Sequence, residues 1–597
     1  MVAADLIQRT NGRIVLGLPL GLGKANHIAN ALFARAETDP AISLKIFTAL
    51  TLEKPRGSSV LEERFLDPVI DRLFGGYPEL AYARAVRSGS LPLNIEVNEF
   101  FFLAGRWMNA PLAQQKYISA NYTHAFRYLL ARGVNVVAQL VARRGDRLSL
   151  SCNPDITLDL LKARAAGTTD FFLVGQANSD LPFMPGEADL PETAFSHILD
   201  SPKTQFPLFA PPKLPVDDAD YAAGLHIASL VPDGGTLQIG IGQEGDATVQ
   251  GLILRHRHNS AFRETLARLS GDAVGHCEPF AQGLYGVSEM LVDGFLRLID
   301  EGIVKREVDG VLVHGGFFLG PQSFYRALRE MPPEQLAKIR MVPISFTNDL
   351  HADEEAKRRA RVGARFVNAA MMATLLGDVV SDQLEDGRVV SGVGGQYNFV
   401  AQAFALDDAR SVLAIKATRG LAKKMESNVR WSYGHTTIPR HLRDIVVSEY
   451  GVADLRGKTD QDVVSAMLAI ADARFQSELL RRAKDAGKIA KSFEIPAAHR
   501  NNTPEHVRAA LKPAREAGLL PDYPLGCDFD GTEQKLYRAL RKLQAASASP
   551  LALLPLVTKG LAGSNDASAL ARMKLDKPRS LSDRLYRVLL SGALKAV

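Results

Sequence analysis

Cysteine is scarce in this chain: 597 residues contain three, Cys152, Cys277 and Cys527, and no two stand at metal-ligand or redox spacing. That argues against a disulfide framework or a CxxC couple and leads to the expectation of a reducing, cytoplasmic setting with no bound metal. Long hydrophobic runs are missing too. The apolar stretch Ile14 to Leu22 is broken by Gly17, Pro19 and Gly21, so it resembles neither a signal-peptide core nor a membrane span, and no membrane partner is expected. Charge of one sign is nowhere dominant: 71 Lys and Arg face 66 Asp and Glu, for a net +5. Without a basic stripe interleaved with aromatics, nucleic acid is not expected as a partner, although an anionic small molecule is.

What is present is a globular chain, 46% hydrophobic and 23% charged, too long for one core. Pro202, Pro207, Pro211, Pro212 and Pro215 keep residues 201–220 extended, which reads as a linker. On each side lies a strand, a glycine loop and a helical pattern: Arg13 to Lys24 running on through Ala36, and Thr236 to Gly245 running on through His256. Short apolar strands at 134–137, 171–174, 310–313, 341–344 and 412–415 alternate with helical patterns, as βαβ units do. The expectation is an α/β fold: an N-terminal α/β domain over 1–200, a second α/β domain over 221–495 and a mostly helical, basic extension over 496–597. The ligand crevice is expected at the strand C-terminal ends.

The stretch Tyr285 to Phe295 places a carboxylate in an apolar run. Met290, Leu291, Phe295, Leu298, Ile299 and Ile303 recur as one helix face, so Ser288 reads as the cap and Glu289 as a first-turn residue favoured by the helix dipole. A first-turn Glu is common for that reason alone; in this company it is also a candidate nucleophile. Gly240, Gly242 and Gly245 satisfy G-x-G-x-x-G, with Glu264 as a possible ribose acid, while Gly17 to Lys24 is a near miss for a P-loop. A third cluster, Ser391 to Phe399, adds Gly392, Gly394 and Gly395. Three amide-rich loops and one carboxylate suit acyl chemistry, since an attacked thioester develops an oxyanion that needs preorganised donors. No G-x-S-x-G elbow supports a serine hydrolase, and nothing marks Cys277 as activated.

Four blocks in this order resemble the acetyl-CoA hydrolase/transferase family of class I coenzyme A transferases: Leu237 to Ala247, Tyr285 to Gly294, Val390 to Phe399 and Asp444 to Lys458. The resemblance covers roughly residues 230 to 490. It implies two similar open α/β domains of the NagB/RpiA type facing across a cleft, and a homodimer. It further implies that Glu289 attacks an acyl-CoA to give a mixed anhydride, and that the CoA thiolate returns to form a glutamyl-CoA thioester, which a carboxylate then resolves. Gly394 and Gly395, with Ile241 between Gly240 and Gly242, would hold the oxyanions. Gln396 completes the third block, and Lys416, Arg419, Lys423 and Lys424 are candidates for the CoA phosphates.

No permanently bound cofactor is implied; acyl-CoA and a small carboxylate are the substrates. Ser288, Asn398 and Lys416 to Arg419 depart from the family's usual residues, which leaves the reaction class standing and the acyl group open. Phe317 and Phe318 are candidates for a larger apolar acyl pocket, and Glu449 is expected to pair with Arg443 or Arg456. The competing functions are a hydrolase using the same Glu289, a non-catalytic binder of CoA ligands and a dinucleotide oxidoreductase.

Overall fold

The structure is a computed structural model that describes every residue of the chain except 272–274, 421–423, 548–549 and 564–565. It forms two compact units. The first comprises Met1–Leu52, Pro78–Thr418 and Ser427–Gly526, the second Glu53–Tyr77, Arg419–Glu426 and Cys527–Val597.

Two eight-stranded sheets organise the first unit. One is built from β1 (Arg13–Leu20), β2 (Ser43–Ala49), β3 (Ile95–Glu99), β4 (Val136–Arg144), β5 (Arg147–Ser149), β6 (Phe172–Ala177), β7 (Asp189–Pro191) and β8 (His197–Leu199). Its parallel body runs β3-β2-β1-β4-β6-β8, and β5 and β7 extend it by antiparallel pairing. The other contains β9 (Thr236–Gln238), β10 (Tyr285–Met290), β11 (Val313–Phe317), β12 (Ile339–Met341), β13 (Arg365–Ala369), β14 (Arg410–Ala414), β15 (Ile445–Ser448) and β16 (Gly451–Asp454). Its order is β12-β11-β10-β9-β13-β14-β15-β16, parallel except for the closing hairpin.

Both sheets start near their middle. β1 lies between β2 and β4, and β9 lies between β10 and β13, so the chain leaves each first strand towards one side and later returns to the other. A crevice opens at the strand C-terminal ends of such a switch point. The loop at Gly21–Gly23 follows β1, the loop at Gly240–Gly242 follows β9, and Glu289 is the penultimate residue of β10. All three therefore lie at switch-point ends.

Parallel strands covered on both faces carry apolar residues on both, and this explains where the sequence periodicity misleads. Residues 285–290 form a strand, not a helix entrance; the helix begins later, at Asp293–Asp300 with Val292 at its cap. Ser288 is buried in β10 and donates to Ile239 O at 3.2 Å instead of capping. The third strand of the sequence reading, at 310–313, lies three residues on at Val313–Phe317. Glycines at 315 and 316 concealed it, and packing requires them: a Cβ on Gly316 would come within 2.8 Å of Ile344 Cδ1 and 2.9 Å of Glu289 O. Similarly, the strand read at 341–344 ends at Met341, and Pro343 caps a short helix, Ile344–Asn348.

Asp217 accepts from Asp220 N at 2.9 Å and starts the helix Asp218–Ala228 within the proline-rich stretch. That helix crosses Gln243–Arg257 almost backbone to backbone, since a Cβ on Gly224 would lie 2.6 Å from Ala247 C. Pro504–Glu516 joins this helical layer, with Arg515 paired to Asp218 at 3.0 Å.

The second unit is helical: Val60–Phe74, Gly531–Ala546, Pro550–Leu561, Ala567–Arg572 and Leu581–Leu594. Arg64 bonds Asp583 and Arg72 bonds Glu533, each at 2.6 Å, and Phe65 meets Phe529 edge-on at 5.6 Å between centroids. Two helices cross antiparallel at glycines: a Cβ on Gly592 would overlap Leu556 O, and one on Gly560 would overlap Val588 O.

Candidate active site

Glu289 points its carboxylate at the end of β10, half-buried at the crevice. Its Oε2 accepts a hydrogen bond from Asn348 Nδ2 at 2.6 Å. Asn348 ends the short helix after Pro343, and its own Oδ1 accepts from Thr347 Oγ1 at 2.8 Å. With the amide oxygen occupied by a hydroxyl donor, the amide NH2 is the face turned to Glu289. The buried Arg361 fixes this turn by donating to the Phe346 and Thr347 carbonyls and to Gln402 Oε1, while Gln402 Nε2 donates to Thr347 O at 3.2 Å.

On its other side Glu289 meets glycine backbone. A Cβ on Gly395 would overlap both Glu289 Oε2 and Asn348 Nδ2, and one on Gly394 would lie 3.7 Å from Glu289 Oε1. Gly394 takes the left-handed conformation, φ +57°, and Gly395 caps the helix Gln396–Ala405. A helix N-terminus does stand beside the carboxylate, supplied by residues a hundred positions later than the sequence suggested. The loop is held by elements of the first sheet's half. Phe102 N donates to Ser391 O at 2.9 Å, Gly105 N to Val390 O at 2.8 Å and Tyr122 N to Gly394 O at 2.8 Å.

Burial pushes the Glu289 carboxyl up from its usual 4.5 to about 7; the Asn348 hydrogen bond opposes this, and Asp155 adds to it. Asp155 is itself raised to about 6 by burial and accepts from Tyr122 Oη. Tyr122 meets Phe317 edge-on at 5.8 Å. Phe318 packs on Phe324 and Tyr325 instead, as core.

Gly240, Ile241 and Gly242 form the turn between β9 and its helix. A Cβ on Gly240 would meet nothing within 4 Å, Ile241 is 59% exposed, and Gly242 has φ +110°. With Met290, Gly294 and Pro321 these residues line a largely apolar cavity of about 290 Å³. Gln396 donates to Ala369 O at 2.9 Å, and its buried Oε1 has no partner among the described residues.

The basic candidates separate. Lys416 is bound by Asp217 at 2.9 Å and Asp220 at 3.1 Å. Arg419 pairs with Glu426, and Lys424 is an exposed residue of the second unit; Lys423 lies outside the described residues. Lys24 of the near-miss P-loop is fully buried and donates to the Gly21, Ala49 and Leu50 carbonyls, with burial drawing its ammonium down to about 7. It closes a loop and has no hydrogen left for a phosphate. Glu449 pairs with neither expected arginine: it accepts from Ala417 N at 2.8 Å, while Arg443 binds Asp460 and Arg456 binds Asp444.

Asn348, Thr347 and Tyr122 had no motif to announce them. Pro343, which forces a helix start just after a strand, is the one local signal near Asn348.

The fold is shared with solved structures: RipA from Yersinia pestis aligns over 82% of this chain and 97% of its own at TM-score 0.60 and 19% identity, and a 4-hydroxybutyrate CoA-transferase from Porphyromonas gingivalis over 81% and 97% at TM-score 0.52 and 20% identity. Residues 320–483 match the model of the acetyl-CoA hydrolase/transferase C-terminal domain. Among curated relatives, the 4-hydroxybutyrate coenzyme A transferase of Clostridium kluyveri is 25% identical over 56% of this chain and 69% of its own. The succinyl-CoA:cyclohexane-1-carboxylate CoA transferase of Geobacter metallireducens is 24% identical over 62% and 76%.

Proposed function

We propose that this chain is an acyl-CoA:carboxylate CoA-transferase that works through a glutamyl-CoA thioester on Glu289. The observation that carries the reading is the wedging of one carboxylate between the Asn348 amide and the Gly394–Gly395 backbone at a switch-point crevice. The named relatives support transfer between acyl-CoA and carboxylic acids.

In this mechanism Glu289 attacks the thioester carbonyl, the C–S bond breaks, and a mixed anhydride and CoA thiolate result. The thiolate then attacks the Glu289 carbonyl, forming the enzyme thioester and expelling the first acid as its carboxylate. An acceptor carboxylate repeats the two exchanges in reverse order. Each tetrahedral intermediate places negative charge on an oxyanion, for which the Gly394, Gly395 and Ile241 amides are the donors we assign. The Gly240–Gly242 turn and its cavity take the CoA arm, whose remote contacts help draw the acyl end into place.

The test is intact-protein mass spectrometry after incubation with acetyl-CoA and longer acyl-CoAs, for wild type and Glu289→Ala. A borohydride-reducible CoA adduct on wild type alone, discharged by added carboxylates, is the expected result. Adduct decay at the same rate without any carboxylate would instead assign hydrolysis, and equal acyl-CoA consumption by the variant would remove Glu289 from the mechanism.

The reactive form is the carboxylate, so kcat/KM should rise with pH through a midpoint near the Glu289 value of about 7. Asn348→Ala deletes the hydrogen bond that favours the ionised form and leaves the burial. Its midpoint is expected to move upward and its kcat to fall by about tenfold or more. A pH–rate profile with an unmoved midpoint would show that Asn348 acts otherwise.

A further inference from the structure

The charge of this chain is not spread evenly. Residues 527–597 contain 12 Lys and Arg against 6 Asp and Glu, so this stretch holds more net positive charge than the +5 of the whole molecule. Its last 48 residues account for most of that, with 8 basic and 3 acidic side chains. Two of those acids are already engaged: Asp583 binds Arg64, and Asp566 binds Lys535 while capping the helix Ala567–Arg572. Lys559, Lys574, Lys577, Arg579, Arg584, Arg587 and Lys595 have no ion-pair partner among the described residues. The positive charge is therefore uncompensated.

The same helices expose leucine. Leu556 and Gly560 of Pro550–Leu561 face Gly592 and Val588 of the crossing helix. On the opposite side stand Leu551, Leu554 and Leu561, which at 3.6 residues per turn fall within an arc of about 80°. At the other helix's N-terminal end Leu581 and Leu585 are exposed as well, and these five leucines are 54–82% exposed. The antiparallel crossing places Gly560 against Val588, which brings Leu561 alongside the turn that carries Leu585. Pro550–Leu561 is thus apolar on two faces, of which its neighbour covers one.

We propose that this face docks on an anionic lipid surface, with the leucines entering the headgroup boundary and the lysines and arginines meeting the lipid phosphates. A surface combining apolar insertion with basic charge matches such a membrane in both respects. A second copy of the chain is the poorer occupant, because an isologous contact would set two uncompensated positive surfaces against each other. Among the described residues no helix is long and apolar enough to cross a membrane, so the association lies on the surface. The whole-chain totals of 71 and 66 understate this local excess, which the sequence already marks as a basic extension.

The test uses the full chain with vesicles of phosphatidylcholine alone and with about one third phosphatidylglycerol, the bound fraction being read by sedimentation. Light scattering without lipid gives the oligomeric state. At least about tenfold tighter binding to the anionic vesicles is expected, weakened by salt and lost in Leu554→Ser/Leu561→Ser and in Lys577→Glu/Arg579→Glu. Circular dichroism melting verifies that both double variants fold, and Leu581→Ser, at the most exposed of these positions, repeats the test should the leucine pair melt early. Equal binding to both vesicles, binding to neither, or unchanged binding by the folded variants would overturn the proposal. So would an oligomer that the leucine variant dissociates without any lipid binding, which would give the face to a second copy.

Discussion

Glu289→Gln is expected to lower kcat/KM for CoA transfer by at least about 10³-fold and, at the same time, to make the folded protein more stable at neutral and alkaline pH. The loss of rate follows from losing the only nucleophile the mechanism has. The gain in stability follows from linkage. Burial raises the folded-state carboxyl from 4.5 to about 7, so between those values the unfolded chain has released a proton that the folded chain keeps. Stability therefore falls as pH rises through this window and stays lower above it, by at most about 3 kcal/mol for a half-buried group. The neutral glutamine escapes that penalty. Denaturant melts of both proteins at pH 5 and pH 8 measure it: the variant's advantage should be present at pH 8 and small at pH 5. Measurable transfer by the variant, or the same stability difference at both pH values, would contradict the assignment.

Gly395→Ala should be nearly as damaging, from a single methyl group. At this position the added Cβ would occupy the space of Glu289 Oε2 and Asn348 Nδ2, so either the glycine loop retreats or the carboxylate rotates off its hydrogen bond. Both outcomes separate the nucleophile from the amides proposed to receive the oxyanion. We expect kcat to drop by about 10²-fold or more, with little change in overall stability, because the displacement is confined to the crevice. Gly240→Ala is the control. Its Cβ would meet nothing within 4 Å, so any effect should appear in KM for acyl-CoA and not in kcat. Steady-state kinetics with the two substrates varied separately distinguish the cases, and a Gly395→Ala enzyme with wild-type kcat would show that the loop does not shape the site.

The open α/β plan was legible because its signals are local. A strand, a glycine loop and a helix recur at Arg13–Thr38 and again at Thr236–Arg257, and each needs only neighbouring residues to specify it. Glu289 also stood out locally, although through a helix periodicity that a doubly covered parallel strand imitates. What the sequence did not disclose is contact over distance. Asn348 lies 59 residues from the carboxylate it binds, Tyr122 reaches Gly394 from another sheet's half, and Arg64 finds Asp583 519 residues away. Lys416 is instructive for the same reason. As a sequence it was a free cation; in the fold two aspartates from the helix Asp218–Ala228 and its cap already neutralise it. Charge in a sequence becomes available charge only after its partners are known.

The hydrogen bond from Tyr122 N to Gly394 O, with the bridge pairing Asn121 and Gly394, means that the crevice belongs to neither sheet. Its wall is set by a strap whose two ends are anchored in different halves of the sequence. A chain severed within 201–220 would retain each sheet's own pairing yet lose the register between carboxylate and glycine loop until the fragments reassociated. Turnover by such a nicked molecule would depend on the concentration of its pieces.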